Sequence, residues 1–282
     1  MSNKEGCLLK GLKRAACALT GMTVAISAMA WGQKGHDVTA YIAEKHLTPA
    51  AAATVDSLLD GRSLVYWSNW LDNASHTPEY AYTKTWHYNN VDAGKTYETR
   101  KQAPDGDAIT ALRYSIGILS DQSKNQKEKS LALKMLCHIL ADIHQPLHMG
   151  HATDYGGNTV KLKYFGRETN LHSIWDNALT ESAHKWSYTE WQQQIDRTTP
   201  VGEKIIISGN IDDWATQSVK LAEEVYNFFP SGKHVSYNDV AHWTPVIEEQ
   251  LLKGGLRLAH VLNTLFDPSY NGGGTVTSPA QF

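Results

Sequence analysis

The sequence predicts a mainly all-α protein, a single helical domain with one small β-hairpin. Three observations predict it. Apolar residues recur at three- and four-residue spacing along most of the chain, most clearly at Leu133, Leu136, Ile139, Leu140 and Ile143. Helix-opening residues stand in front of several of these runs. Only Thr159-Val160-Lys161-Leu162-Lys163-Tyr164-Phe165 alternates with the two-residue period of a strand.

Residues 1–30 are read as a signal peptide, so they fall outside the fold. Lys4, Lys10, Lys13 and Arg14 form a basic head, residues 15–26 a short apolar run, and Ala28-Met29-Ala30 a small-x-small cleavage pattern. The first helix is then expected over 38–46. A second runs over 49–59, with Thr48 as N-cap, Pro49 in the first turn and Gly61 as the stop. Residues 68–88 are aromatic and polar, and are read as a short helix followed by irregular chain. Asp107 caps a helix to Ser120, and the clearest helix spans 128–145, ended by Pro146. The hairpin lies within 158–170, turning at Gly166-Arg167. Helices over 171–182, 212–228 and 244–265 complete the body, and the glycine-rich tail from about residue 270 is expected to be loose. The domain is thus expected to span 31–282, with no repeat and no linker.

The 282 residues are 41% hydrophobic and 20% charged, ordinary globular values. Removing the leader, with its four basic residues and Glu5, takes the net charge from −3 to −6. A basic groove for polyanions is therefore not expected, although bound divalent cations would reverse the sign locally. Cys7 and Cys17 leave with the leader, so Cys137 has no partner for a disulfide. This suits an exported protein of bacterial type, periplasmic or secreted, stabilised by metal. No membrane or lipid anchor and no protein partner are predicted.

Thirteen histidines are many for this length, and their spacing carries chemistry. His138 and Asp142 lie four apart on the clearest helix and so share a face. His148 follows just past Pro146, and His172 and Asp176 repeat the four-residue spacing. Imidazole and carboxylate together are the ligand set of catalytic zinc. Asp72 and His87 offer a further pair. Cleavage after Ala30 would make Trp31 the new N-terminus, with a free amine able to bind metal and His36 five residues away.

These pieces resemble the S1/P1 nucleases, whose relatives include zinc-dependent phospholipase C. The resemblance runs through Trp31-Gly-Gln-Lys-Gly-His36, Asp72, Trp86-His87-Tyr88, His138-x-x-x-Asp142-x-x-x-Pro146-x-His148, Asp154-Tyr-Gly-Gly-Asn158 and Leu171-His172-Ser-Ile-Trp-Asp176. It implies a helical fold of the phospholipase C/P1 nuclease type and three Zn²⁺ ions. Asp72, His87, His138 and Asp142 would hold one zinc, and His148, His172 and Asp176 a second. Trp31, through its amine and carbonyl, would hold the third with His36, and Asp142 would bridge to it. The implied reaction is hydrolysis of single-stranded DNA or RNA and of 3′-nucleotides by a zinc-activated hydroxide, leaving 5′-phosphates. Asp72 and Asp142 would act as catalytic carboxylates, Tyr88 would stack a base and Asn158 would contact it. Two alternatives stay open: a phospholipase C-like esterase, and a catalytically weak zinc-binding protein. One departure bears on both, since Ser75 stands where the family often has an arginine; Lys84 and Lys163 are candidates to replace its charge. His144 and His151 are expected to orient the ligands, and Trp70, Trp86 and Trp175 to wall the site.

Overall fold

A computed structural model describes residues 31–101, 103–272 and 282. The expected signal peptide and most of the expected loose tail lie outside these residues.

The helices form where local chemistry opens them. α1 (Gln33–Lys45) starts a turn and a half earlier than its apolar run suggests. α2 (Pro49–Leu58) is capped by the Thr48 side chain, as expected. The aromatic stretch folds as two short helices, α3 (Leu64–Trp67) and α4 (Trp70–Ala74). α5 (Ala108–Ser120) is capped by Asp107. α6 (Gln126–Asp142) opens earlier than expected, because Asn125 and Glu128 form a reciprocal capping box. Its end is tightened at Ile143, and a 3₁₀ turn follows over Pro146–Met149.

The expected hairpin is present as β1 (Lys161–Tyr164) and β2 (Arg167–Asn170), antiparallel, with Leu162 opposite Thr169. Its two turn residues, Phe165 and Gly166, both have positive φ, the geometry of a tight hairpin turn. After β2 the chain enters α7 (Leu171–Ser173), a π-helical turn over Ile174–Ala178, and α8 (Leu179–Ala183). Then come α9 (Tyr188–Ile195), α10 (Pro200–Ile207) and α11 (Ile211–Phe228). β3 (His234–Val235) adds to β1 in parallel, giving the order β2-β1-β3, a third strand not read from sequence. α12 (Tyr237–Phe266) begins two turns before the expected start and carries Pro245 inside it. Near the C-terminus Tyr270 bonds His260, and Phe282 is buried against Trp214 and His260, so these parts of the tail are held.

Two apolar clusters fill the interior. One is built largely from α2, α5, the apolar face of α6 and the start of α11. The other gathers Trp31, α1, the 171–191 region and the first half of α12. The C-terminal end of α6 lies between them, with Ile139 and Leu140 in the first and Ala141 in the second. Among the described residues no helix is long and apolar enough to cross a membrane.

Candidate metal centre

α6 is the spine of the site. His138 and Asp142, one turn apart on its buried end, are fully excluded from solvent. His36 comes from α1 and Asp72 from α4. His87 follows the aromatic segment, His148 sits on the turn after α6, and His172 and Asp176 lie on α7 and its π-helical continuation. Eight of the nine expected ligands thereby converge as three groups: His36, His138 and Asp142; Asp72, His87 and His138; and His148, His172 and Asp176.

Asp142 is the hub. Its Oδ1 lies 3.3 Å from His36 Nε2 and 3.6 Å from His148 Nδ1. Its Oδ2 lies 3.2 Å from both His138 Nε2 and His87 Nδ1. Asp72 Oδ1 approaches His138 Nε2 at 3.5 Å. In the third group Asp176 Oδ2 is 3.3 Å from His172 Nε2, and its Oδ1 is 3.7 Å from His148 Nε2.

Three of the imidazoles are aimed by backbone carbonyls. The Nδ1–H of His138 donates to Ser68 O at 2.6 Å, that of His148 to His87 O at 2.7 Å, and that of His172 to Gly156 O at 2.7 Å. Such bonds fix the tautomer and turn the Nε2 lone pair toward the cluster. Gly156 explains the Asp154–Asn158 loop: its φ is +66°, and a Cβ there would meet Leu147 O at 2.5 Å. Only glycine supplies this carbonyl to His172.

The electrostatics call for positive charge. Three carboxylates share the pocket, and among the described residues no lysine or arginine pairs with any of them. Burial pushes the Asp142 carboxyl up, but His138 and His148 outweigh it and hold the group well below the usual carboxylate range. Asp176 goes the other way: burial, with Asp142 and Asp72 adding to it, raises it to about 8 against the pull of His172 and Gln145. Burial and the neighbouring His138 lower His36. Buried His36 Nδ1 and Nε2, His87 Nε2 and Asp142 Oδ1 have no hydrogen-bond partner among the described residues. Each such group costs about 1–3 kcal/mol if it stays unsatisfied. Lone pairs converging from imidazole and carboxylate fit a divalent metal ion, which would take one ring nitrogen of each histidine and leave the proton on the other.

The other expected residues are placed as follows. Trp31 is fully buried, its indole beside Gly35, and the next residue, Gly32, donates its N–H to Asp176 O at 2.7 Å. The expected free amine depends on the leader, outside the described residues. Tyr88 is half-buried beside His87, and Asn158 is buried with its Nδ2 donating to Tyr155 O at 2.8 Å. Ser75 turns inward, its hydroxyl donating to Asp72 O, and neither Lys84 nor Lys163 pairs with a site carboxylate among the described residues.

His144 and His151 do not orient ligands through their side chains. His144 Nδ1 bonds Leu140 O, and its Nε2 accepts from Arg257 of α12. His151 stacks on Tyr226 and bonds Glu223. The residue that sequence reasoning missed is Gln145. Its Nε2 donates to Asp176 Oδ1 at 2.6 Å, and its Oε1 accepts from Leu147 N at 2.6 Å. Its position between Asp142 and His148 was the available signal.

A sequence model described as S1/P1 Nuclease matches residues 31–267. Among curated relatives, Endonuclease 4 of Arabidopsis thaliana is 29% identical, the alignment covering 85% of this chain and 90% of the relative. Nuclease S1 of Aspergillus oryzae is 29% identical over 83% of this chain and 91% of its own. Nuclease P1 of Penicillium citrinum is 27% identical over 83% and 97%.

Proposed function

This chain belongs to the S1/P1 nuclease family, and on that premise we propose that it hydrolyses phosphodiester bonds in single-stranded DNA and RNA, and 3′-nucleotides, leaving 5′-phosphates. The observation that carries the reading is the buried pocket of three His/Asp groups, two sharing His138 and the third reached from Asp142 through His148, with several polar atoms unsatisfied and, among the described residues, no lysine or arginine paired with its three carboxyl groups. Asp72, His87, His138 and Asp142 would hold one zinc, and His148, His172 and Asp176 a second. His36 and the Trp31 amine and carbonyl would hold the third, with Asp142 shared. When bound, zinc supplies Lewis acidity, lowering the pKa of water to about 7 and neutralising phosphate charge.

The protein's own residues divide the remaining work. Asp142 keeps its carboxylate ionised and draws four imidazoles into register. Asp72 is the most open of the three carboxylates, its side chain 20% exposed. It would orient the attacking water at the mouth and take up its proton on an Oδ atom. Trp31 and Trp175, both fully buried, exclude water from behind the centre. Tyr88 offers a ring face worth about 1–3 kcal/mol to any unpaired base. Asn158 holds its own loop with Nδ2 and would present Oδ1 to the base edge. The need for an unpaired base favours single strands.

The export reading draws support from the family match, which begins at Trp31, the residue the cleavage pattern would leave first. The test is zinc content of protein beginning at Trp31, joined to hydrolysis of single-stranded DNA and 3′-AMP before and after chelation. About three zincs per chain and chelator-sensitive release of 5′-phosphate products are expected. Zinc-loaded protein that hydrolyses neither substrate, or protein that takes up no zinc, would refute the assignment.

A further inference from the structure

The stripe of α6 that presents His138 and Asp142 continues toward the helix start through Lys134, Leu131 and Lys127, at three- and four-residue intervals. At 1.5 Å per residue, Lys134 stands about 6 Å and Lys127 about 16 Å along the axis from His138. Both line a cavity of about 490 Å³ that Trp70 and Tyr80 wall with aromatic rings. Those rings lie 4.9 Å apart at 77°. The Lys134 ammonium lies over Trp67, 3.4 Å from its centroid.

Charge and continuity say what fits there. Lys124, Lys233 and Lys253 are each paired with a carboxylate, but among the described residues neither Lys127 nor Lys134 forms a hydrogen bond or an ion pair. Among the described residues Asp60 is the one acidic residue lining the cavity, so the two ammonium groups outnumber it. From Tyr80 the rings continue to Tyr82 at 6.5 Å and to Trp86 at 5.3 Å, and Trp86 directly precedes His87. The rings thus run from the cavity to the residue before His87, and Trp70 stands two residues before Asp72 on the same short helix. Stacking faces interleaved with cations are how proteins track single strands without reading sequence, and the volume lies within the usual range of ligand pockets.

We propose that this cavity is a distal nucleotide subsite for the same single strand whose scissile phosphate lies at the metal centre. A base stacks on Trp70 or Tyr80, and a backbone phosphate is held by Lys127 and Lys134. The proposal rests on the single-strand nuclease reading. It makes the enzyme more effective on oligonucleotides than on mononucleotides, because only the former reach both places.

The test compares zinc-loaded wild type with the double variant Lys127→Glu, Lys134→Gln on oligothymidylate and on 3′-AMP, alongside anisotropy of fluorescein-labelled oligothymidylate. The variant is expected to raise KM for oligothymidylate about tenfold, with kcat little changed and 3′-AMP kinetics within about twofold of wild type. The salt dependence of oligonucleotide binding should flatten by about one unit of slope per lost phosphate contact. Tyr80→Ser should raise the same KM without changing the slope. Unchanged KM and anisotropy would overturn the subsite, as would equal losses on both substrates, which would place the lysines' effect at the shared centre. Wild type that hydrolyses neither substrate would sink the nuclease reading instead, while the anisotropy would still report whether the lysines bind the strand.

Discussion

Gln145 does two jobs with one amide. Its nitrogen holds the Asp176 carboxylate, and its oxygen caps the turn that delivers His148, so two members of one candidate metal group are set by one fully buried side chain. Ligand-orienting groups of this kind are typically worth 10–100-fold in metal affinity or activity. Gln145→Ala is therefore expected to leave the helices formed but to weaken one of the three proposed zinc sites by about that factor. Zinc retained against a graded competing chelator would show it, and retention equal to wild type would remove the positioning role. The candidate ligands were legible in the sequence because His138/Asp142 and His172/Asp176 repeat one helical spacing in the residue types that hold metal. Gln145 was not, because glutamine carries no metal or proton signature and its partner is 31 residues away. The same blindness misjudged His144, whose neighbours in sequence are ligands but whose neighbour in space is Arg257.

Elements were read well where a boundary has a local chemical mark and poorly where it does not. Thr48 and Asp107 place the starts of α2 and α5 because each cap is a side chain bonding a nearby N–H. The start of α12 was misplaced because Pro245 suits a first helical turn, whereas the true opening is the Ser236/Asp239 capping box upstream. The long-range partner decides here, since α12 is held against α1 by close approach. A Cβ on Gly255 would come within 2.5 Å of Ile42 Cβ. Helix propensity alone favours alanine over glycine by about 1 kcal/mol, but overpacking of this kind costs about 1–3 kcal/mol. Gly255→Ala is expected to lower Tm by a few degrees, and an unchanged or raised Tm would show that the crossing relaxes. α1 is also tied at its other end, where His46 lies 3.0 Å from Asp196 and 3.5 Å from Glu203. The hydrogen bonds to Asp196 and Glu203 raise His46 to about 9 against the opposing effect of burial. Because the folded value exceeds the unfolded one near 6.5, this stabilisation is complete below pH 6.5 and is lost as pH rises through 9. Screening at this half-buried position reduces it to about 1 kcal/mol. In urea melts His46→Gln should be less stable than wild type at pH 6 and equal to it above about pH 9.5; a gap independent of pH would contradict the ionic account.

At the scale of the whole molecule, the metal centre is also a joint. His36 and Asp176 come from elements packed in one apolar cluster, Asp72 and His87 lie beside the other, and the end of α6 bridges them. The one described cysteine is a buried free thiol, so no disulfide ties the clusters together. Without a cation, carboxylates and imidazoles at this joint leave buried lone pairs unsatisfied. A ligand that binds only the folded state at a thousand times its Kd adds about 4 kcal/mol per site. In a chain of this size that amounts to roughly 8–16 °C in Tm. Chelation should therefore lower Tm by about ten degrees or more, and zinc should restore it. The loss should also be local. Amide exchange should rise first around His138–Asp142 and His172–Asp176, while α10, which carries no candidate ligand and packs on α12, keeps its protection. A Tm indifferent to chelation would mean that the two clusters hold each other without the metal. The converging histidines and aspartates would then serve chemistry alone.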